Sequence, residues 1–71
     1  MPRSWFVKTI LQDGREFLVG AASGPNARVK AEAIFTDGFS VEVVGVGLDQ
    51  KAKFHPLREV REVLTFWGGE E

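Results

Sequence analysis

The chain has 71 residues, of which 44% are hydrophobic and 27% charged, and it contains no cysteine. This length allows one small domain over residues 1–71, and the lack of cysteine excludes disulfides and thiolate zinc sites as supplements to its core. Nine basic and ten acidic residues give a net charge of −1, which argues against the strongly basic surface typical of nucleic-acid-binding domains. Residues 1–4 and 68–71 are predicted to be frayed ends.

The first predicted element is a β-hairpin formed by residues 5–12 and 15–22. Both segments are rich in apolar residues, and Asp13-Gly14 between them is typical of a two-residue type I′ turn. This turn would place Phe6, Lys8, Ile10, Phe17, Val19 and Ala21 on one face, and Trp5, Val7, Thr9, Leu11, Leu18 and Ala22, with Glu16 near the turn, on the other. Neither face is predominantly polar, so both sides of this hairpin are predicted to be apolar.

The segment around which the rest of the chain is organised, residues 24–46, is predicted to be a helix followed by a strand. Ser23 or Asn26 is suited to cap the start of the helix, and Pro25 is suited to its first turn. Gly38 is suited to a left-handed stop at its end. An apolar stripe at helical spacing is formed by Ala27, Ala31, Ile34 and Phe35.

A competing interpretation makes residues 29–35 and 39–46 a second hairpin, turned by Asp37-Gly38. Its register would pair Ala33 with Glu42 and Phe35 with Ser40, which mixes apolar and polar side chains on one face and is a poor fit to a half-buried sheet. This interpretation leads to an all-β, SH3-like small barrel as the alternative fold.

The second half of the chain is predicted to contain two strands, residues 39–46 and 61–67, although the apolar spacing of residues 56–67 would also fit a helix. Gly45 and Gly47 predict a bulge, a bend or a close backbone approach. Residues 48–53 are predicted to be a polar connection, and a single turn is predicted at 56–60. The resulting fold is α+β in the order ββαββ: a four-stranded, mainly antiparallel sheet with one helix packed on one face.

No motif for catalysis survives inspection. His55 is the only histidine, so a histidine-based triad would need Ser4, Ser23, Ser40 or a threonine beside it, and no local pattern places one there. Pro56 favours an extended, surface histidine before a turn. We therefore expect no enzyme, no metal ion, no cofactor and no small-molecule substrate.

The expected function is a small protein-binding module of the regulator or inhibitor type, acting through self-association, as a homodimer, or docking on a larger protein. A chain with apolar residues on both sides of a sheet and one helix to cover them leaves an apolar face for a partner. The expected contact residues are Trp5, Val7, Leu11, Leu18, Val44, Val46 and Trp67.

The alternative function is nucleic-acid binding on a sheet face, against which the net charge of −1 weighs. The first residues contain no long apolar run, so neither a signal peptide nor a membrane span is predicted, and the cytoplasm is the expected compartment. The basic residues that would meet phosphates in the alternative are Arg3, Lys8, Arg15, Arg28 and Lys30.

Overall fold

A computed structural model describes residues 4–68, and their one α-helix and five antiparallel strands confirm the predicted α+β class. The three-stranded sheet A has the order β2-β1-β5, and the two-stranded sheet B consists of β3 and β4. The elements are β1 (Ser4–Leu11), β2 (Glu16–Ala21), α1 (Gly24–Asp37), β3 (Phe39–Val44), β4 (Lys51–Pro56) and β5 (Val60–Gly68). Helix α1 packs on one face of sheet A, as predicted.

There are five strands in two sheets, instead of the predicted four in one, because residues 51–56, which overlap the predicted polar connection, form β4. Lys51, Lys53 and His55 alternate with Ala52 and Phe54, and this period of two is typical of a strand. A single 3₁₀ turn at Leu57–Glu59 precedes the last strand, as predicted. The SH3-like alternative required a strand at 29–35, where the chain is helical.

The register of the first hairpin differs from the prediction by one residue. Val7 pairs with Val19, and Ile10 pairs with Glu16. The loop therefore has three residues, 12–14, and only Gly14 among them has a positive φ, 92°. A type I turn followed by a left-handed glycine has this form. Because side chains alternate along a strand, the shift moves every residue of β2 to the opposite face.

This register separates the two faces of sheet A more cleanly than predicted. The inner face, which α1 and sheet B cover, carries Trp5, Val7, Thr9, Leu11, Phe17, Val19, Ala21, Val63, Thr65 and Trp67. The outer face carries Phe6, Lys8, Ile10, Glu16, Leu18, Gly20, Glu62, Leu64 and Phe66. Ser4 and Gly68, predicted to be frayed, form the terminal pair of the β1–β5 ladder, whereas residues 1–3 and 69–71 lie outside the described residues.

The loop geometry predicts a low pKa for Asp13. The backbone N–H of Arg15 donates to Asp13 Oδ1 at 3.0 Å, and Arg15 Nε donates to Oδ2 at 2.7 Å. These hydrogen bonds, the backbone one foremost, lower the pKa of the Asp13 carboxyl. We expect NMR pH titration to show this carboxyl below the usual aspartate range. Arg15→Gln should retain much of the lowering, because its backbone N–H remains.

If the Asp13 carboxyl had an ordinary aspartate pKa in both the wild type and Arg15→Gln, the two hydrogen bonds from Arg15 to Asp13 would be contradicted. The pKa is lower in the folded than in the unfolded state, so Asp13 contributes stability above its unfolded pKa, and this contribution is lost as pH falls through the folded pKa. The carboxyl is exposed, so we expect the contribution to be small.

Helix α1 is capped at both ends as predicted. Ser23 Oγ accepts the N–H of Asn26 at 3.2 Å, and Asn26 Oδ1 in turn accepts the N–H of Ala22 at 3.2 Å. At the other end Gly38 has φ 88°, and its N–H donates to the carbonyl of Ile34. The N-terminal side chains and the left-handed glycine thus fix both boundaries of the helix.

The apolar stripe of α1 is narrower than predicted. Ala27 is fully buried and Ala31 and Ile34 are half-buried, but Phe35 is exposed. Eight residues rotate a helix position by about 80° beyond two full turns, which carries Phe35 from the line of Ala27 toward the solvent side. The inclusion of Phe35 in the stripe is therefore wrong.

Candidate functional site

The outward side of sheet B is an apolar surface, which we call the hairpin face: Phe39, Val41, Val43, Ala52 and Phe54. The β3–β4 register pairs Val41 with Phe54 and Val43 with Ala52, so these residues project from the same side. Phe54 is 62% exposed and Val43 is 59% exposed. The rings of Phe39 and Phe54 meet edge to face with centroids 5.2 Å apart, an arrangement that favours a fixed orientation of the exposed ring.

The loop between β3 and β4 exposes two further apolar side chains. Val46 is 80% exposed and Leu48 is fully exposed. Gly45 and Gly47, at φ 92° and 57°, allow the chain to turn sharply around them. A Cβ on Gly45 would lie 2.6 Å from the backbone oxygen of Asp49, which confirms the predicted close backbone approach. Two large aliphatic side chains are therefore held in solvent at the loop tip.

The inward side of sheet B is mostly polar, and its buried part contains Ser40 and His55. The imidazole is 1% exposed and stacks on Phe17, with ring centroids 5.2 Å apart. Its Nε2 lies 2.8 Å from Glu42 Oε1, and its Nδ1 lies 3.5 Å from Glu59 Oε1. The prediction of a surface histidine is wrong, because strand alternation places His55 beside buried Ser40 on the inward side.

A second apolar surface lies on the outer face of sheet A, where Leu18 and Leu64 flank Lys8. Phe6 and Phe66 stack above them with centroids 5.5 Å apart. The amine of Lys8 lies 2.8 Å from a carboxylate oxygen of Glu16, so an ion pair interrupts this surface. The hairpin face carries no such charge among its five residues, which makes it the more apolar of the two.

The predicted contact residues do not share one surface. Val7 and Leu11 are each 2% exposed and belong to the core, so the prediction that they contact a partner is wrong. Trp5 and Trp67 pack together on the inner face of sheet A, with centroids 5.7 Å apart. Leu18 lies on the outer face of that sheet. Val44 points to the inward side of sheet B, and Val46 lies in the exposed loop that follows β3.

The basic residues of the nucleic-acid alternative are also dispersed. Lys8 is on the outer face of sheet A, and Arg15 pairs with Asp13 at the first turn. Arg28 and Lys30 lie on α1, which packs on the opposite face of sheet A. Arg3 lies outside the described residues. The four described cations therefore do not converge on one strip along which a nucleic-acid backbone could run.

Sequence reasoning missed Val43, Leu48 and Phe54, although the period-two alternation of residues 51–56 could have identified Phe54 as a face residue. Within residues 4–68, no three or more histidine, aspartate or glutamate side chains are placed to hold a metal ion. No helix in that range has both the length and the apolar character needed to cross a bilayer. Comparisons with protein-family models, with curated proteins and with solved structures found no match for this chain.

Proposed function

We propose that this chain is a small, non-catalytic protein-binding module whose contact surface is the hairpin face with the adjoining loop. The observation that carries the proposal is the exposure of Phe54, Val43, Val46 and Leu48, all more than half exposed, on one hairpin. Exposed apolar side chains concentrated on one hairpin of a small domain are typical of interaction sites.

The energetic argument rests on the area that a partner would remove from water. Burial of apolar surface is favourable by about 25 cal/mol per Å², so covering one large aliphatic or aromatic side chain contributes about 1.5–3 kcal/mol before the costs of association. Phe54 is the best anchor, because aromatic side chains dominate the binding energy of many interfaces. Its contact with Phe39 also limits the side-chain entropy lost on binding.

Self-association is the first mode that we propose, and docking on a larger protein, as a regulator or inhibitor that acts by occlusion, is the second. Sheet B supports both modes, since it has two strands and each contributes an outer edge. An added strand at either edge would extend the sheet while its apolar face packs on the partner. The proposal retains the cytoplasm as compartment, with which a cysteine-free chain is compatible.

The test is the solution mass by size-exclusion chromatography with light scattering over a dilution series. We expect the wild-type chain to move from its monomer mass of 7.9 kDa toward twice that value as concentration rises. Phe54→Asp should remain at 7.9 kDa throughout, because a carboxylate would be desolvated in the contact. The matched control is Leu18→Asp on the outer face of sheet A, which should associate like the wild type.

The reverse pattern, in which Leu18→Asp dissociates and Phe54→Asp does not, would place the contact on sheet A and contradict the proposal. A wild-type chain that is monomeric at every concentration would contradict self-association. Docking on a larger protein would then be tested by comparing capture on immobilised wild type and on Phe54→Asp.

A further inference from the structure

A cleft between α1, β3 and the inner face of sheet A adjoins the hairpin face and shares Phe39 and Val41 with it. Its volume is about 250 Å³ and most of its lining is apolar. Sheet A provides Val7 and Val19, α1 provides Ala33 and Ile34, and β3 provides Val41. A cavity of about 150 Å³ lined by such side chains stays dry and takes up benzene in a well-studied protein, so this cleft has room for a substituted ring.

Two hydroxyl groups form the polar part of the cleft. Thr9 Oγ1 and Ser40 Oγ lie 2.8 Å apart, and both residues are almost completely buried. Each hydroxyl has one hydrogen to donate, and the bond between them uses only one of the two. Neither hydroxyl makes a second hydrogen bond within residues 4–68, so the other O–H hydrogen has no protein acceptor there. This pair is therefore equipped to donate to an acceptor atom placed in the cleft.

The charges at the cleft balance. Lys30 and Asp37, both on α1, contribute one positive and one negative group to its lining. The amine of Lys30 is already engaged, because it donates to the backbone oxygen of Gly20 at 2.9 Å. The Lys30 amine and the Asp37 carboxylate act on any charged ligand in opposite directions, so neither an anion nor a cation gains a net attraction, and the lining does not select for a charged ligand.

We propose that this cleft is a binding site for a small uncharged molecule of about the size of a monosubstituted benzene, with one hydrogen-bond acceptor that takes the spare hydrogen of the Thr9–Ser40 pair. The apolar walls provide the affinity and the hydroxyl pair fixes the orientation, which is the usual division of roles in small-molecule sites. This inference does not depend on the proposed protein contact, since Phe54, Val43, Val46 and Leu48, the exposed residues that carry that proposal, do not line the cleft.

The test is an NMR titration with two probes of nearly identical shape, acetophenone and α-methylstyrene, in which a CH₂ group replaces the carbonyl oxygen. We expect both probes to shift the methyl signals of Val7, Val19 and Ile34 saturably. In the double variant Thr9→Val/Ser40→Ala, acetophenone should bind about five-fold more weakly, which is the affinity change expected for the loss of one hydrogen bond. The affinity for α-methylstyrene should be unchanged or higher. Replacing both hydroxyls together leaves no orphaned partner, so the fold should be retained.

A second variant tests the location independently. Ala33→Leu adds bulk to the α1 wall of the cleft. It should lower the affinity of both probes at least about ten-fold, because the larger side chain occupies the volume in which they would bind. Ala52→Leu on sheet B adds the same bulk on the hairpin face and should leave both affinities unchanged. The proposal is overturned if neither probe shifts the cleft methyls up to its solubility limit, or if binding persists in Ala33→Leu. The proposal is also overturned if acetophenone and α-methylstyrene lose the same affinity in the hydroxyl double variant.

Discussion

Replacing His55 with alanine is expected to lower the free energy of unfolding by about 2–4 kcal/mol, as for other large-to-small substitutions in cores. The imidazole is 1% exposed and is among the largest fully buried side chains in residues 4–68. Its removal leaves a cavity against Phe17 and takes the hydrogen-bonding partner from Glu42, whose carboxylate is partly buried. A domain of this size has a total stability of about 4–10 kcal/mol, so the loss would be a large share of it.

Urea denaturation followed by the fluorescence of Trp5 and Trp67 measures this change. Lys53→Ala is the matched control, because Lys53 lies two residues away on the same side of β4 but is exposed, and we expect a change within about 0.5 kcal/mol. His55→Phe separates packing from hydrogen bonding, since the ring is kept and the polar contacts are lost. Equal stabilities of the His55→Ala and Lys53→Ala variants would show that the histidine is not part of the core.

Gly45→Ala is the second change with a large expected effect, about 2–4 kcal/mol of destabilisation. The residue has φ 92°, a conformation that costs an ordinary L-residue about 1–2 kcal/mol. In addition, the new Cβ would lie 2.6 Å from the backbone oxygen of Asp49, and a backbone group cannot move away without reshaping the loop. We therefore also expect altered NMR signals for Val46 and Leu48, the two exposed residues that this loop presents.

Gly14→Ala is a close control, because Gly14 has the same φ of 92° but nothing within 4 Å of its added Cβ. Its free energy of unfolding should fall only by the cost of a left-handed backbone for alanine, about 1–2 kcal/mol. The difference between the two variants isolates the steric contact with Asp49. Equal losses in urea denaturation would mean that the β3–β4 loop does not hold the close approach, and the presentation of Val46 and Leu48 would lose its structural basis.

Local interactions explain which parts of the fold were predictable. Helix α1 was predictable because Ser23 and Gly38 act within a few residues of its ends. The register of β2 was not, because an Asp-Gly pair suits a two-residue turn and also the last two positions of a three-residue loop. The observed register places Phe17 and Val19 on the covered face of sheet A, a result of packing against α1 and sheet B that no local pattern specifies.

The candidate site was less predictable than the fold. The two lysines of β4 made residues 48–53 look like a connection, and without β4 the partner of Val41 and Val43 could not be assigned. Which side of sheet B is covered depends on the stacking of His55 on Phe17, which are far apart in the sequence. Tertiary contacts of this kind determine which side chains are buried. The apolar composition therefore predicted that some apolar surface would remain exposed, but it could not predict which residues would form it.

The position of β1 at the centre of sheet A has a consequence for folding kinetics. One neighbour, β2, follows after a three-residue loop, but the other, β5, is the last strand within residues 4–68, so that Ser4 pairs with Gly68. During synthesis the first hairpin forms early and its β1 edge stays open until β5 is made. Closing this long loop is expected to limit the folding rate, and an interrupted chain that lacks β5 would present that open edge to chaperones or to aggregation.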